Sequence, residues 1–512
     1  MKTEPASPRV SLVRALGPLM ATAVVVGTVI GSGVFKKPQV VAESVPYFGL
    51  AALAWILVGL LAFFGALSLA EVAVLFPRAG GNYVFLREGY GRLAGFLWGW
   101  VEFCIIRSAS LAALATIFAE SLSDILRNQA FQDALGLNLG SEPLGFWAQR
   151  WLTIAVILGL ALVNVLGVRW GGLLQLFITL IKVGSLVGIA LLPFLVALFA
   201  RPGAGLPSPE PRNLLPVWPT WSALSFGEFG VALVGVLWAY HGWMNVTWVA
   251  EEVRQPQRNL PLALLAGVGI IIILYLGANL GYYLIIPQDQ IAAIPKDTTV
   301  ATRFSMVLLG NIGAAVASAA VMCSVFGALN GNLLVGPRML YAMGDDRLAP
   351  RALAAVHPRF HTPASAIAIL AAGSVVLVLA GALLTLYRLP VFHVGEWLVD
   401  LNLPKDKGLF DVMTDFAMFG AVIFETLAVA TIFVFRWRLP NAERPYRCWG
   451  YPLVPIVYVT IFALIAANMF RNPKQRTEAL IGVGFIVVGA TVYFATVIYQ
   501  RFLGPRGQYR TP

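Results

Sequence analysis

Charged residues are scarce in this sequence. Only 12% of its 512 residues are Asp, Glu, Lys or Arg, whereas 59% are hydrophobic, and the mean hydropathy is +0.78. An ordinary soluble domain has roughly 25% charged residues, because its surface faces water. The composition therefore excludes a soluble globular protein and favours one that is solvated by a lipid bilayer. The net charge of +11 is scattered in short clusters, without the basic stripe that typifies nucleic-acid binding, so no nucleic-acid partner is expected.

Cysteine and histidine are also rare. The chain has three cysteines, no pair of which has CxxC or metal-ligand spacing, and four histidines, which form no ligand motif. Neither a disulfide framework nor a metal site is therefore expected, and no cofactor is predicted. The sequence also lacks a Ser/His/Asp set, a GxSxG motif and an HExxH motif, which argues against an intramembrane enzyme with catalytic residues.

Long apolar segments follow one another along the chain. A helix needs roughly 20 apolar residues to cross a ~30 Å hydrocarbon core, and helices are predicted because unsatisfied backbone groups are costly in lipid. The first segment is too long for a signal peptide and has no small-residue cleavage site, so we predict a membrane helix there. The twelve predicted spans are 17–41, 49–75, 93–121, 151–168, 172–199, 228–250, 262–286, 306–343, 364–386, 411–435, 451–470 and 477–500.

Glycine interrupts two of these spans. Span 1 contains Gly31-Ser32-Gly33, and span 6 contains Gly242 within the aromatic stretch 238–243. Because glycine inside a helix costs ~1 kcal/mol relative to alanine, these positions are predicted to unwind. Paired interruptions in two halves indicate a transporter built on inverted repeats. The expected organisation is an N-terminal tail (1–16), a first repeat (17–199), a second repeat (228–437), two further spans (451–500) and a C-terminal tail (501–512).

Loop charge predicts the orientation. If both termini are cytoplasmic, the cytoplasmic segments carry an excess of Lys and Arg over Asp and Glu, and the external segments do not. This asymmetry is the one that the positive-inside rule requires. We therefore expect an integral protein of the plasma membrane or the bacterial inner membrane, with both tails in the cytoplasm.

A broken span 1 would offer partners for both ends of a zwitterion. Its second half would begin with free amide N–H groups at the positive end of a helix dipole, which binds a carboxylate. Its first half would end in free carbonyl groups, which accept hydrogen bonds from an ammonium group. In the alternative interpretation, Gly27 and Gly31 only form a small-residue packing face, as in many membrane helices.

Further motifs follow along the chain, at residues 26–35, 70–71, 77–83, 100–107, 238–243, 251–261, 326–338 and 443–445. In this order they resemble the motifs of amino-acid–polyamine–organocation (APC) superfamily permeases, most closely the L-type amino-acid transporter (LAT) branch. The resemblance covers roughly residues 17–450. It implies an all-α fold of the LeuT type, with 12 transmembrane helices, a 5+5 inverted repeat, broken helices 1 and 6 and two extra C-terminal helices.

The resemblance also implies a substrate site at the two breaks. The substrate carboxylate would bind the amides of Ser32, Gly33 and Val34. The amino group would bind the carbonyl groups that correspond to Val29, Trp238, Ala239 and His241, and Trp238 would form an aromatic gate. The full predicted substrate-binding set is Val29, Ile30, Gly31, Ser32, Gly33, Val34, Trp238, Ala239, Tyr240 and His241.

Lys182 lies near the middle of span 5. A charged side chain at that depth costs at least ~2.5 kcal/mol on insertion scales, so it usually has a partner. The resemblance places Lys182 in the region that sodium occupies in sodium-coupled relatives, where its ammonium would tie span 5 to span 1 and replace the ion. The alternative, a lysine that snorkels to the interface, is disfavoured by the depth of the residue.

Two residues depart from the LAT pattern. His241 stands where that pattern usually has glycine, and Glu425 lies in the middle of span 10, where it tends to be apolar. A histidine titrates near neutral pH and a buried carboxyl group can take up a proton, so both are candidates for proton coupling. Alternatively, only the carbonyl group of His241 takes part in substrate binding, and its ring packs elsewhere. Glu425 could likewise pair with a base or stay protonated.

Three more polar residues in the spans match the family. Glu102 and Arg107 are five residues apart in span 3 and are not expected to share a face of an α-helix, so we predict structural or gating roles. Asn330 in span 8 is expected to form hydrogen bonds between helices.

The predicted function is sodium-independent exchange of neutral amino acids by alternating access. A proton-coupled amino-acid or polyamine symporter and a non-transporting amino-acid sensor are the alternatives. Animal LAT subunits pair with a glycoprotein through a cysteine between spans 3 and 4. Residues 122–150 contain no cysteine, so no disulfide-linked heavy chain is expected. The loop 387–410 is longer than the family pattern, and no role is predicted for it.

Overall fold

The computed structural model describes residues 12, 14–140, 142–199, 207–220, 225–296, 298–387, 392–394, 397–399 and 409–502. Within them, 12 helical segments are long and apolar enough to cross a membrane. The prediction of an all-α protein with twelve spans is confirmed. For most spans, the predicted ends agree with the observed ends within a few residues. Span 3 was predicted to end at residue 121, whereas its helix continues to Arg127.

The spans are formed by α-helices that begin and end at the following residues. They are Pro18–Val29 and Gly33–Ser44 (span 1), Phe48–Leu75 (2), Arg92–Val101 and Ser108–Arg127 (3), Phe146–Leu166 (4), Val168–Phe199 (5), Phe226–Tyr240 (6), Pro256–Ile285 (7), Val300–Asp345 (8), Ala364–Leu386 (9), Leu409–Arg438 (10), Leu453–Arg471 (11) and Pro473–Phe502 (12).

Shorter elements connect or interrupt the spans. The short α-helices are Asn82–Tyr90, Gln129–Leu135 and Gln288–Ala292, the 3₁₀ helices are Pro211–Leu214, Trp243–Glu252 and Arg351–Ala354, and a π-helix comprises Glu102–Arg107. The loop after span 9 contains a small antiparallel hairpin of Phe392–Val394 and Trp397–Val399. The remainder of that loop, and both predicted tails for the most part, lie outside the described residues.

The broken spans lie at the centre of the bundle. Within the most apolar stretch of each span, 83% of the residues are buried in span 6 and 78% in span 1. The corresponding fractions are 22% in span 5 and 11% in span 12. The outer spans expose large apolar side chains such as Leu198 and Ile273, each 73% accessible. Such a surface would be unfavourable in water and is suited to lipid. The breaks are therefore enclosed by protein, which is where irregular backbone is tolerated at membrane depth.

Candidate functional site

Span 1 is broken where its glycines lie. The first half-helix ends at Val29, Ile30 has extended backbone angles, and Ser32 is the N-cap of the second half-helix. The first turn of a helix has no intrahelical acceptors for its amides. The break therefore presents the N–H groups of residues 32–34 at a helix N-terminus, as the sequence predicts. All of this segment is buried.

Span 6 is broken by an extended residue followed by a left-handed one. Its first helix ends at Tyr240, His241 has φ −61° and ψ 143°, and Gly242 has φ 102°. A positive φ of this size strongly favours glycine, which explains why the chain has glycine there. The span then continues as a 3₁₀ helix from Trp243. The His241 amide donates to the carbonyl oxygen of Trp238 at 3.2 Å, so one predicted ammonium acceptor already has a partner.

The two breaks lie against each other. A methyl group at Gly33 would overlap the backbone of Ala239, so this glycine permits the contact. The Tyr275 hydroxyl of span 7 lies 3.1 Å from the carbonyl oxygen of Val29 and 3.0 Å from that of Ala239. One tyrosine hydroxyl thus joins two of the four carbonyls at which the resemblance places the substrate ammonium.

A polar cavity opens at the junction of the breaks. Its lining includes six of the predicted residues, namely Val29, Gly31, Ser32, Gly33, Trp238 and His241. The other lining residues are Thr28, Ser110, Leu114, Gly242 and Asn332. The Ser32 and Ser110 hydroxyls are buried and have no hydrogen-bond partner among the described residues. The cavity therefore has unused polar groups, as a site for a polar ligand requires.

The remaining predicted residues lie close to this cavity. Ile30, Val34 and Ala239 are buried beside it, outside its lining. Tyr240 and Glu425 line a neighbouring cavity, which His241 also lines. The Trp238 and His241 rings are stacked, with centroids 6.3 Å apart and an interplanar angle of 9°. The gating role of Trp238 stays a prediction.

Lys182 extends from span 5 to the break of span 1. Its ammonium nitrogen lies 2.7 Å from the carbonyl oxygen of Gly27 and 2.6 Å from that of Ile30. The residue is 1% exposed, so the side chain does not snorkel to an interface. A Cβ at Gly327 would lie 2.8 Å from Lys182 Cε, which shows that glycine makes room for the lysine stem. The predicted tie between spans 5 and 1 is present in the structure.

Span 8 also binds the break of span 1. The Ser324 hydroxyl lies 3.2 Å from both the Ile30 and the Gly31 carbonyl oxygens. Six residues further along, the Asn330 amide donates to the Gly171 carbonyl oxygen at 3.2 Å and to Gln175 Oε1 at 3.1 Å. Asn330 thus forms the expected hydrogen bonds between helices.

The expectation that Glu102 and Arg107 do not share a helix face is wrong. Residues 102–107 form a π-helix, in which hydrogen bonds run from residue i to i+5 and bring such residues onto one side. Arg107 Nε lies 2.8 Å from Glu102 Oε1, and both side chains are buried. Arg107 also donates to Asn332 of span 8 and, at 3.2 Å, to Asn245 of span 6. The pair therefore joins three spans around the cavity.

His241 and Glu425 contact each other in the neighbouring cavity, which both residues line. His241 Nε2 lies 2.9 Å from Glu425 Oε1, and the side chains are 12% and 6% exposed. The histidine ring therefore has a specific carboxylate partner, which disfavours the interpretation that only its carbonyl matters. Sequence reasoning named both residues separately and did not pair them.

Three contributors were missed from the sequence. Tyr275, Ser324 and Ser110 are single polar residues in apolar spans, and nothing in their spacing marks them as site residues. A polar side chain within a membrane helix faces protein more often than lipid, and this rule was the only signal available. The chemistry of the assembled site is recognition of a carboxylate by helix amides and of a cation by carbonyl groups.

The chain resembles known transporters over almost its whole length. The family model described as "Amino acid permease" matches residues 16–495. The serine/threonine exchanger SteT of Bacillus subtilis is 30% identical over 487 residues, which cover 94% of this chain and 97% of the relative. The human cystine/glutamate transporter is 26% identical over 504 residues, 98% of this chain and 88% of the relative. The human large neutral amino acids transporter small subunit 2 is 28% identical over 492 residues, 96% of this chain and 82% of the relative.

Proposed function

Because the chain belongs to the amino acid permease family, we propose that it is a membrane transporter that exchanges α-amino acids by alternating access, without sodium. The observation that carries the proposal is the pair of facing breaks in spans 1 and 6, with a polar cavity between them. A helix N-terminus and backbone carbonyl groups at the facing breaks suit the two ends of a zwitterion.

In the proposed binding mode, the substrate carboxylate accepts hydrogen bonds from the amides of Ser32, Gly33 and Val34. Its ammonium donates to the carbonyl groups of Val29 and Ala239, each of which has a second lone pair beside the one that faces Tyr275. This mode uses only the backbone, so it recognises the part that all α-amino acids share. Preference among amino acids then depends on the side chains that line the cavity.

Lys182 supports sodium independence. Its ammonium group contacts two carbonyl oxygens at the break of span 1, and carbonyl oxygens at such breaks are typical ligands for a coupling ion. A fixed positive charge at this point would stabilise the unwound backbone and repel a sodium ion. We therefore propose that Lys182 takes the place of the ion in the transport cycle.

The lining of the cavity favours a neutral substrate. Ser32, Ser110, Thr28 and Asn332 offer uncharged polar groups, and the charged Arg107 is engaged by Glu102, Asn245 and Asn332. The names of two relatives, a serine/threonine exchanger and a large neutral amino-acid transporter subunit, agree with this preference. A third relative is named for cystine and glutamate, so neutrality belongs to the proposal and its test.

We further propose that the two five-span halves, 17–199 and 228–437, are the inverted repeats, and that both tails face the cytoplasm. The three cysteines are free in the structure, and we propose a subunit without a disulfide-linked heavy chain. No residue is assigned a catalytic role.

The test is uptake of a labelled neutral amino-acid mixture into proteoliposomes in sodium-free buffer. Vesicles are loaded with unlabelled amino acids or left empty, and each set is measured with and without an inward proton gradient. Exchange predicts uptake that requires internal amino acid and does not require the gradient. Uptake into empty vesicles that follows the gradient would instead establish a proton symporter. Saturable binding without uptake in any condition would establish a sensor, and a strict need for sodium would contradict the role of Lys182.

A further inference from the structure

His241 and Glu425 are the two residues at which the sequence departs from the LAT pattern, and they contact each other. The His241 Nε2 to Glu425 Oε1 distance is 2.9 Å. Glu425 lies in span 10 and His241 at the break of span 6, so the pair links the substrate site to a helix that does not line it.

A second cavity lies behind His241. Spans 2, 6, 10 and 11 line it with mostly apolar side chains, and its polar groups come from Tyr240, His241 and Glu425. The Tyr240 hydroxyl is buried without a hydrogen-bond partner among the described residues, and Glu425 Oε1, although 2.9 Å from His241 Nε2, has no well-directed hydrogen bond there. The same is true of the Tyr458 hydroxyl, whose ring stacks on Phe462 of the cavity lining at 4.2 Å. Unsatisfied polar atoms around a small cavity are typical of a site that holds water.

The other charges around the pair are already matched. On span 3, Glu102 is within electrostatic reach of both His241 and Glu425, but Arg107 neutralises it at 2.8 Å. Span 2 contributes the apolar Val58 and Ala62 and span 11 the apolar Phe462, and the Tyr458 hydroxyl of span 11 is within electrostatic reach of Glu425. The charge at this point is therefore set by the protons that His241 and Glu425 carry.

The pair is neutral only when it holds one dissociable proton. With a protonated imidazole and an ionised carboxylate, the two charges cancel. Loss of the proton leaves a single carboxylate in a mostly apolar cavity, which is costly. A second proton leaves a single imidazolium, which is costly for the same reason. Of these three states, only the one with a single proton on the pair carries no net charge.

We propose that His241 and Glu425 form a proton-binding site, served by the second cavity, and that its occupancy is linked to substrate binding. His241 lines both the substrate cavity and the second cavity, so it is the residue through which the two ligands affect each other. The proposal rests on the proposed transport function and adds a second ligand, the proton, to the same site.

The direction of the linkage follows from the contact. With the residues in contact, their charges cancel only when the proton is bound, so formation of the pair and binding of the proton favour each other. If substrate binding stabilises this conformation, binding takes up protons, and the affinity falls as the pH rises. By reciprocity, protons then strengthen substrate binding by the same factor.

The experiment measures amino-acid affinity of the full chain in lipid nanodiscs between pH 5.5 and 8.5. The ligand is the labelled amino acid that gives the largest exchange signal in proteoliposomes. For the wild type, we expect the affinity to fall at least about threefold over this range. Glu425→Gln and His241→Gly each reduce the change to less than about twofold, and the double variant is no different from either. Glu478→Gln, a buried acid of span 12, is the matched control and retains the wild-type dependence.

Calorimetry of the wild type in buffers of different ionisation enthalpy counts the protons directly, and does not depend on whether a variant folds. We expect a net uptake that is lost in the variants that still bind. Binding with no proton uptake and a flat pH profile in the wild type would overturn the proton site and leave the transport proposal intact. A Glu425→Gln protein with the full wild-type pH dependence would also overturn it. A wild type that binds no amino acid at any pH would overturn the transport function itself.

Discussion

Removal of the Lys182 ammonium tests the proposed replacement of sodium most directly. In Lys182→Met, the side chain keeps most of its length and its packing beside Gly327, but the donor to the Gly27 and Ile30 carbonyl oxygens is lost. Those bonds are 2.7 and 2.6 Å long, and the residue is 1% exposed. The two carbonyl groups would then face an apolar group in the protein interior.

The size of the effect can be worked out from these contacts. A hydrogen bond to a charged group contributes about 1.5–3 kcal/mol, and a buried acceptor left without a partner costs about 1–3 kcal/mol. The Ser324 hydroxyl can still donate to the Ile30 carbonyl oxygen, which leaves Gly27 as the group that loses its partner. We therefore expect the broken conformation of span 1 to lose about 3 kcal/mol of stabilisation. Because transport requires this conformation, the rate of exchange is expected to fall about a hundredfold.

The assay is exchange in sodium-free proteoliposomes, together with thermal unfolding of the purified protein. Lys182→Met is expected to remain folded in the membrane and to lose exchange. Ser185→Ala is the matched control, since this serine lies on the same span and its hydroxyl bonds only the Lys182 carbonyl oxygen, at 2.8 Å; its exchange is expected to stay within about twofold of the wild type. Full, sodium-independent exchange by Lys182→Met or Lys182→Ala would refute the reasoning.

Three other substitutions test the geometry of the site. Tyr275→Phe removes the hydroxyl that joins the two breaks. We expect exchange, measured in the proteoliposome assay, to fall about tenfold, and the free energy of unfolding to fall by about 1 kcal/mol. Gly33→Ala places a methyl group against the backbone of span 6 and should abolish exchange. In the control Gly184→Ala, the methyl group meets open space and exchange should be retained. Equal activity of the two variants would contradict the close contact. The lysine in Arg107→Lys cannot reproduce the three-way contact of a guanidinium, so we expect the unfolding temperature in detergent to fall by several degrees. An unchanged unfolding temperature would show that the network does not stabilise the bundle.

The sequence alone predicted the twelve spans and both breaks, because each depends on local properties. An apolar stretch long enough to cross a bilayer has few alternatives to a helix. Glycine at 31, 33 and 242 weakens the helix where the structure shows it unwound. That Lys182 has a partner was also predictable, since a charge at membrane depth usually needs one, but its place at the break of span 1 came from the resemblance to LAT permeases.

The contacts of the site depend on which helix faces which, and no local pattern contains that information. Glu425 and His241 are 184 positions apart along the chain, so their contact follows only from the packing of span 10 against span 6. Tyr275 and Ser324 reach the breaks for the same reason. The error at Glu102 had another cause, since a regular α-helix was assumed where the backbone forms a π-helix.

The π-helix at 102–107 also sets the phase of everything that follows it in span 3. One extra residue in a turn rotates the next helix by about 100° relative to an uninterrupted one. Ser110 and Leu114, which follow the π-helix, line the substrate cavity. A cysteine-accessibility scan along span 3 should therefore show a periodicity of about 3.6 residues on each side of the π-helix and a shift between the two. A relative with one residue deleted here would present a different set of side chains to its substrate, even if every later residue were identical.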